Sequence, residues 1–458
     1  MATRVILVRH GESVYNVQRR VQGHCDESVL TEVGRAGACQ VGGALQDLQF
    51  AAIYSSPLKR AKETAELIRS TLIQNSLQNS HAIPDLQLTD NLKEISLPLW
   101  EGLTFQEVEE RYPEDYLVWR DRPHELSMDV PSEDGGITPF YPVLAVYEQA
   151  RQFWQEVLLH HQNQTILLVA HSGINRCLIN AAIGLESKHY QSIQQSNCAI
   201  SILNFSGILG DPVQIESLNL TAHLGDLLPK PRPKQQGPRF LLVRHGETDW
   251  NREQRFQGQI DVPLNAQGRI QSEQAAAFLR DVTIDRAITS PMLRPKETAE
   301  IILQKHPDVT LELENDLREI SHGLWEGKLE SEIEQAYPGL LHQWKHAPET
   351  VQMPEGENLQ QVWDRTKAAW DAIVASTPPN PEGRLTTVLV VAHDAVNKAI
   401  LCLLVGCNPE SFWTFKQGNG GVTVIDYLQG ITEQPVIQAM NITVHLGGVL
   451  DKTAAGAL

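Results

Sequence analysis

The sequence predicts two tandem α/β domains, each a mostly parallel sheet covered by helices on both faces. Three observations carry that prediction. Short continuous apolar runs alternate with helical stretches along the chain, the order that builds strand-helix-strand units. A set of landmarks found between residues 9 and 225 recurs in the same order between 244 and 447. Between the two sets lies a stretch dominated by Pro and Lys, Leu228 to Pro238. A chain of 458 residues exceeds what one hydrophobic core usually serves, whereas two halves can each bury an adequate one.

Taken in order, Val5 to Val8 is an unbroken apolar run, the signature of a strand buried on both faces. A helix over Thr31 to Leu48, a strand over Ala51 to Tyr54 and a helix over Lys59 to Leu72 follow. A helix over Tyr147 to His160 and strands over Thr165 to Ala170 and Cys198 to Leu203 complete the first half. The second half repeats this with strands at Phe240 to Val243, Arg286 to Thr289, Thr387 to Ala392 and Val422 to Ile425. Its helices fall near Ala266 to Leu279, Leu293 to Leu303 and Leu359 to Val374. The Lys/Pro and Arg/Pro steps between the halves have no apolar periodicity and favour an extended linker. The expected division is a domain over 1–226, a linker over 227–238, a second domain over 239–450 and a flexible tail over 451–458.

The recurrence is a duplication of whole domains rather than of short repeat units. Arg-His-Gly-Glu occurs at Arg9 to Glu12 and Arg244 to Glu247, placing His10 and His245 235 residues apart. Ser56-Pro-Leu-Lys-Arg60 is echoed by Ser290-Pro-Met-Leu-Arg294, and Lys62 to Glu66 by Lys296 to Glu300. Leu92-Lys-Glu-Ile-Ser96 answers to Leu317-Arg-Glu-Ile-Ser321, and Leu168-Val-Ala-His171 to Val390-Val-Ala-His393. Even the endings match, Thr221 to Gly225 against Thr443 to Gly447.

An imidazole beside a guanidinium, where a buried strand ends and a Gly-containing turn begins, is a nucleophile beside an anion clamp. The cargo it suggests is a phosphate. His10, Arg60, His171 and their counterparts come at or just after strand ends, where ligands of parallel α/β sheets sit. Phosphoryl transfer to imidazole needs a nucleophile, donors for the nonbridging oxygens and an acid for the leaving alkoxide. We assign His10 and His245 as nucleophiles. Arg9, Arg60 and His171 surround the phosphoryl group in the first site, and Arg244, Arg294 and His393 in the second. The adjacent guanidiniums disfavour the imidazolium form of each nucleophile. Glu94 and Glu319 are the general acids, with Glu101 and Glu326 as rival carboxylates. This scheme calls on no metal and no cofactor. The sequence has no calcium loop, no Cys/His quartet and no Walker loop.

The ordered set Leu-Val-Arg-His-Gly-Glu, Ser-Pro-Leu-Lys-Arg, Lys-Glu-Ile and Val-Ala-His resembles the histidine phosphatase superfamily, also called phosphoglycerate mutase-like, over almost all of both halves. The doubled arrangement, with Leu30 to Gly34 and Gln195 to Cys198, looks like its two-domain cyanobacterial and plastid members resembling 2-carboxy-D-arabinitol-1-phosphatase. The resemblance implies tandem three-layer α/β/α sandwiches and a phosphohistidine mechanism. It also implies phosphate contacts from Asn16 and Asn251, from Gly23 and Gly258 in the loops Gln22-Gly23 and Gln257-Gly258, and from Ser172. Two departures stand out. The second half has Ala392-His-Asp-Ala395 where the first has Ala170-His-Ser-Gly173. A carboxylate from Asp394 repels phosphate unless it turns away or pairs with Lys398. The first half has 131–136 in place of the Pro-x-Gly-Glu turn at Pro354 to Glu357.

The function expected is a metal-independent phosphomonoesterase acting on a small phosphorylated sugar acid or related metabolite. A cofactor-dependent phosphoglycerate mutase is the alternative, and a noncatalytic phospholigand-binding protein the second. The segments Glu107 to Pro123 and Glu330 to Pro348, candidate lids, are rich in Glu and aromatic residues, which favours hydrolysis over the mutase. The formal net charge of −18 argues against nucleic-acid or anionic-membrane partners. Six cysteines without a C-x-x-C pair read as reduced, mostly buried thiols. No signal-peptide pattern or membrane-length apolar run is present, so a cytoplasmic or stroma-like compartment is expected. Oligomeric state is not legible. His160 and His161 read as a solvated helix end, and His223 and His445 as strand residues with structural roles. The tryptophans, including Trp119, Trp154, Trp344, Trp363 and Trp370, read as helix packing.

Overall fold

Val5 to Val8 are wholly buried, which places the strand they form, β1 (Thr3–Arg9), inside a sheet covered on both faces. The computed structural model describes residues 2–76, 82–131, 135–232, 235, 237–380, 383–428, 430–451 and 453. The chain forms two units, Met1–Asp226 and Leu227–Leu458.

In the first unit the strands are β1, β2 (Ala52–Ser55), β3 (Leu86–Leu88), β6 (Thr165–Ala170), β7 (Ile200–Phe205) and β8 (Val213–Leu220). Their sheet order is β8-β7-β1-β6-β2-β3. The pairings of β1 with β6, β6 with β2 and β2 with β3 are parallel, and β7 alone runs against its neighbours. Helices pack in two pairs, Glu32–Ala44 with Lys59–Ser76 and Pro142–His160 with Ser172–Ala182. A short antiparallel ribbon pairs β4 (Met128–Pro131) with β5 (Ile137–Phe140); of the altered segment 131–136 that differs from the second half, residues 132–134 lie outside the described residues. The second unit repeats the sheet, in the order β11-β10-β12-β9-β13-β14. These strands are β9 (Arg239–Arg244), β10 (Arg286–Thr289), β11 (Leu311–Leu313), β12 (Thr387–Ala392), β13 (Val422–Asp426) and β14 (Val436–Ile442). Its turn at Pro354 to Glu357 leads into Asn358, which caps the helix Leu359–Ala375 by accepting from the Gln361 N–H.

Register positions the site. Arg9 lies opposite Ala170 and Ser55 opposite Val169, so His10, His171 and Ser56 each begin the loop beyond the end of one of three adjacent parallel strands. The His10 N–H donates to the Ala170 carbonyl at 2.8 Å. In the second unit Arg244 lies opposite Ala392 and Thr289 opposite Val391, which gathers His245, His393 and Ser290 alike.

One reading is corrected. His223 and His445 sit in 3-10 turns, Ala222–Leu224 and Val444–Leu446, each closed by a left-handed Gly, Gly225 and Gly447. Of the tail over 451–458, Asp451 and Thr453 fall among the described residues. The Asp451 carboxylate is held by Lys416 at 3.0 Å and by the Asn441 amide at 3.1 Å.

Candidate active site

The Gly of each tetrapeptide allows two backbones to touch. A Cβ on Gly11 would collide with the Gly34 carbonyl, and one on Gly246 with that of Gly268. The Arg-His-Gly-Glu turn therefore lies directly on the first turn of the following helix. Its Glu faces away from the site: Glu12 Oε1 accepts from the Thr31 hydroxyl at 2.8 Å and Glu247 Oε1 from the Asn265 amide at 2.8 Å.

A hydrogen bond sets the tautomer of the first histidine in each site. His10 Nδ1 lies 2.7 Å from the Gly11 carbonyl, and a carbonyl only accepts, so Nδ1 carries the proton and Nε2 the lone pair. His245 Nδ1 is held the same way by the Gly246 carbonyl at 2.7 Å. The second histidine meets a serine. Ser56 Oγ accepts from the Leu58 N–H at 3.3 Å and lies 2.8 Å from His171 Nε2. A hydroxyl both donates and accepts, so this contact is compatible with a proton on either ring nitrogen; the buried Nδ1 of His171 has no partner among the described residues. His393 repeats this with Ser290 at 2.9 Å, and its Nδ1 is likewise unpartnered. The rings of His10 and His171 are 5.1 Å apart and those of His245 and His393 5.3 Å. Each site thus sets a nucleophilic lone pair beside a second buried imidazole whose Nδ1 has no partner among the described residues.

All four imidazoles are held well below the usual histidine range. Burial is the first cause in each case, and the arginines are the next. Arg60 donates to the Gly23 carbonyl at 2.8 Å and the Cys25 carbonyl at 3.1 Å; Arg294 does the same to Gly258 and Ile260. Arg9 is tied to the Gln195 carbonyl at 2.9 Å, and Arg244 to that of Gln417 at 2.6 Å. The Nε–H groups of Arg9 and Arg60 are buried and unpartnered among the described residues. A cluster of buried N–H donors without acceptors is an anion site.

Gly23 and Gly258 have positive φ, 49° and 55°, and a Cβ on either would strike Glu101 or Glu326. Those two carboxylates are engaged by loop N–H groups, Glu101 by His24 at 2.9 Å and Glu326 by Gln259 at 2.9 Å. Glu94 Oε1 accepts from Ile95 at 2.9 Å and from Gly173 and Ile174 at 2.8 and 3.2 Å, at the start of the helix that Ser172 opens. Glu319 has a buried carboxyl whose proton affinity is raised, first by burial and then by Asp394. Asn16 Oδ1 accepts from the Ser13 N–H at 3.1 Å and the Asn197 amide at 3.2 Å; Asn251 repeats this with Thr248 and Asn419.

In the second unit Arg244, His245, Asn251, Gly258, Arg294 and Glu319 line one cleft of about 430 Å³. Trp344, read as packing alone, also faces this cleft, together with Trp413 and Phe412. Asp394 pairs with Lys398 at 2.6 Å. A His-x-x-x-His spacing exists at His342 and His346, whose exposed rings stack 4.1 Å apart. They belong to no group of three or more metal-ligating side chains among the described residues.

Several contributors escaped the sequence reading. Ser56 and Ser290 were legible only as motif letters, as were Thr64 and Thr298, which accept from the Gly11 and Gly246 N–H groups. Asn197 and Asn419 donate to the carbonyls of His10 and His245 at 2.9 and 3.0 Å. The recurring Gln-x-Asn at 195–197 and 417–419 was the available signal.

Residues 5–218 and 240–443 each match the histidine phosphatase superfamily, branch 1. The chain belongs to that superfamily, and it is a phosphoric monoester hydrolase with two such domains. It is 29% identical to 2-carboxy-D-arabinitol-1-phosphatase of Triticum aestivum over 97% of this chain and 87% of that one. A probable 2-carboxy-D-arabinitol-1-phosphatase of Arabidopsis thaliana is 28% identical, covering 97% of this chain and 88% of its own. Phosphoserine phosphatase 1 of Hydrogenobacter thermophilus is 33% identical over 46% of this chain and 94% of its own. Among the described residues no helix is long and apolar enough to cross a membrane.

Proposed function

We propose that the protein hydrolyses a small phosphorylated sugar acid or related metabolite, each domain working through a phosphohistidine with no metal taking part. The observation that carries this reading is the lone pair set on Nε2 of His10 beside His171, whose buried Nδ1 has no partner among the described residues and as an N–H would donate to a phosphoryl oxygen. Nε2 attacks phosphorus as the ester P–O bond breaks, and the Glu94 carboxyl gives its proton to the departing alkoxide. Arg9, Arg60, Asn16, Gly23, Ser172 and His171 hold the nonbridging oxygens. Water then loses a proton to Glu94 and attacks phosphorus; the N–P bond breaks, phosphate leaves and His10 returns neutral. His245, Glu319, Arg244, Arg294, Asn251, Gly258 and His393 play the same parts in the second domain.

The names of the two full-length relatives support a sugar acid as substrate class. Residues 227–238 act as the linker, and the six unpaired thiols fit a reducing compartment such as the cytoplasm. The test is release of inorganic phosphate from a panel of phosphoesters in excess chelator. Turnover that persists, falls partially in His10→Ala and in His245→Ala, and vanishes in the double variant is expected. Loss of turnover with the chelator, or a fully active double variant, refutes the proposal.

A further inference from the structure

We infer that the two sites divide phosphomonoesters by charge, the first taking esters with a second anionic group beside the phosphate and the second taking esters whose neighbouring group is neutral. This rests on reading both sites as phosphatases.

The Arg, Asp and Glu residues that line the second cleft have like-charged counterparts in the first, Arg9 for Arg244, Arg60 for Arg294, Glu94 for Glu319 and Arg20 for Arg255. Among these lining residues the exception is Asp394, whose counterpart is Ser172. Asp394 is buried, lines the cleft and stands 3.7 Å from Arg244. Its other oxygen pairs at 2.6 Å with Lys398, whose ammonium lies 4.5 Å from the Trp413 ring centre. That cation is neutralised by its own carboxylate and held against an aromatic wall.

Arg176 occupies the position of Lys398 in the first domain. Its guanidinium carbon also lies 5.6 Å from an aromatic ring centre, that of Tyr190, but its Nη2 donates to the neutral Gln194 amide at 2.9 Å, and among the described residues its buried Nε has no partner and no carboxylate pairs with it. The charge of Arg176 is felt at Arg9, on which it acts as a like charge. A substrate carboxylate next to the phosphate therefore meets an uncancelled cation in the first site and a resident anion in the second. Like charges a few ångströms apart at a protein surface discriminate by about tenfold or more.

The probes are 3-phosphoglycerate and glycerol 1-phosphate, which share a three-carbon skeleton and differ by a carboxylate. Their kcat/KM ratio is measured in full-length His245→Ala, which leaves the first site, and in His10→Ala, which leaves the second. The ratio is expected to favour the carboxylated ester at least tenfold more in the first. Transplanting the first domain's pair, Asp394→Ser with Lys398→Arg, into His10→Ala is expected to move the ratio at least fivefold toward the carboxylated ester. Calorimetric titration of the full chain with both esters, before and after the same exchange, reads the preference without turnover. If no variant hydrolyses either ester, the phosphatase reading fails and the titration still decides the charge preference. Equal ratios at the two sites, or an exchange that moves neither ratio nor affinity, overturns the inference.

Discussion

Arg294 donates its Nε–H to Nε2 of His245 across 3.3 Å. The same guanidinium donates its other two nitrogens to the carbonyls of Gly258 and Ile260, so one planar fork aligns the phosphate loop and the nucleophile together. A lysine ammonium is a point donor and cannot span all three. Arg294→Lys in a His10→Ala background is expected to lower kcat/KM about a hundredfold. A loss under threefold would show that charge alone matters there.

Nine histidines have proton affinities depressed by folding, His189 and His306 among them. His10, His171, His245 and His393 lie well below 6.5, His223 and His445 are held at about 4 and His322 at about 3, burial coming first in every case. Below pH 6.5 the unfolded chain binds protons that the folded chain refuses, so stability falls as pH drops. Of these, His10, His171, His223, His245, His322, His393 and His445 each contribute up to about 1.4 kcal/mol per pH unit until the folded value is reached. Melting temperatures are expected to decline steeply from pH 6.5 to pH 5; a flat profile over that range would mean that the imidazoles are not buried neutral.

The parallel core was legible because Val5 to Val8 and Phe240 to Val243 are unbroken apolar runs, and both are buried throughout. The strands Leu86–Leu88 and Leu311–Leu313 were not, being three residues long and partly exposed at the sheet edge. Val213–Leu220 escaped because it buries Glu216, Ser217 and Asn219, polar residues that break an apolar run. At the site, nucleophile and clamp could be read from residue type and order. The contact of Ser56 with His171 could not, because it spans 115 residues and only the pairing of β2 with β6 brings the two together.

That serine yields a prediction of its own. Where His171 donates to phosphate through Nδ1–H, the Ser56 hydroxyl gives its proton to Nε2, a hydrogen bond worth about 1 kcal/mol. Ser56→Ala in a His245→Ala background is expected to lower kcat about fivefold, less than His171→Ala, which removes the donor itself. An unchanged rate would separate Ser56 from the chemistry, and a loss equal to that of His171→Ala would give the serine a direct role.

Glu319 differs from its counterpart in having a carboxylate neighbour. Burial and Asp394 both raise its hold on a proton, which keeps the acid loaded to higher pH. Asp394→Asn removes the neighbouring charge and leaves the Lys398 ammonium without its carboxylate, and both changes favour ionised Glu319. In a His10→Ala background the alkaline limb of the kcat profile is therefore expected to move to lower pH. Asp371→Asn, on the exposed ion pair with Lys367, serves as the control that leaves the limb in place. A limb that stays put in Asp394→Asn, or shifts upward, would mean that Glu319 is not the group delivering the proton.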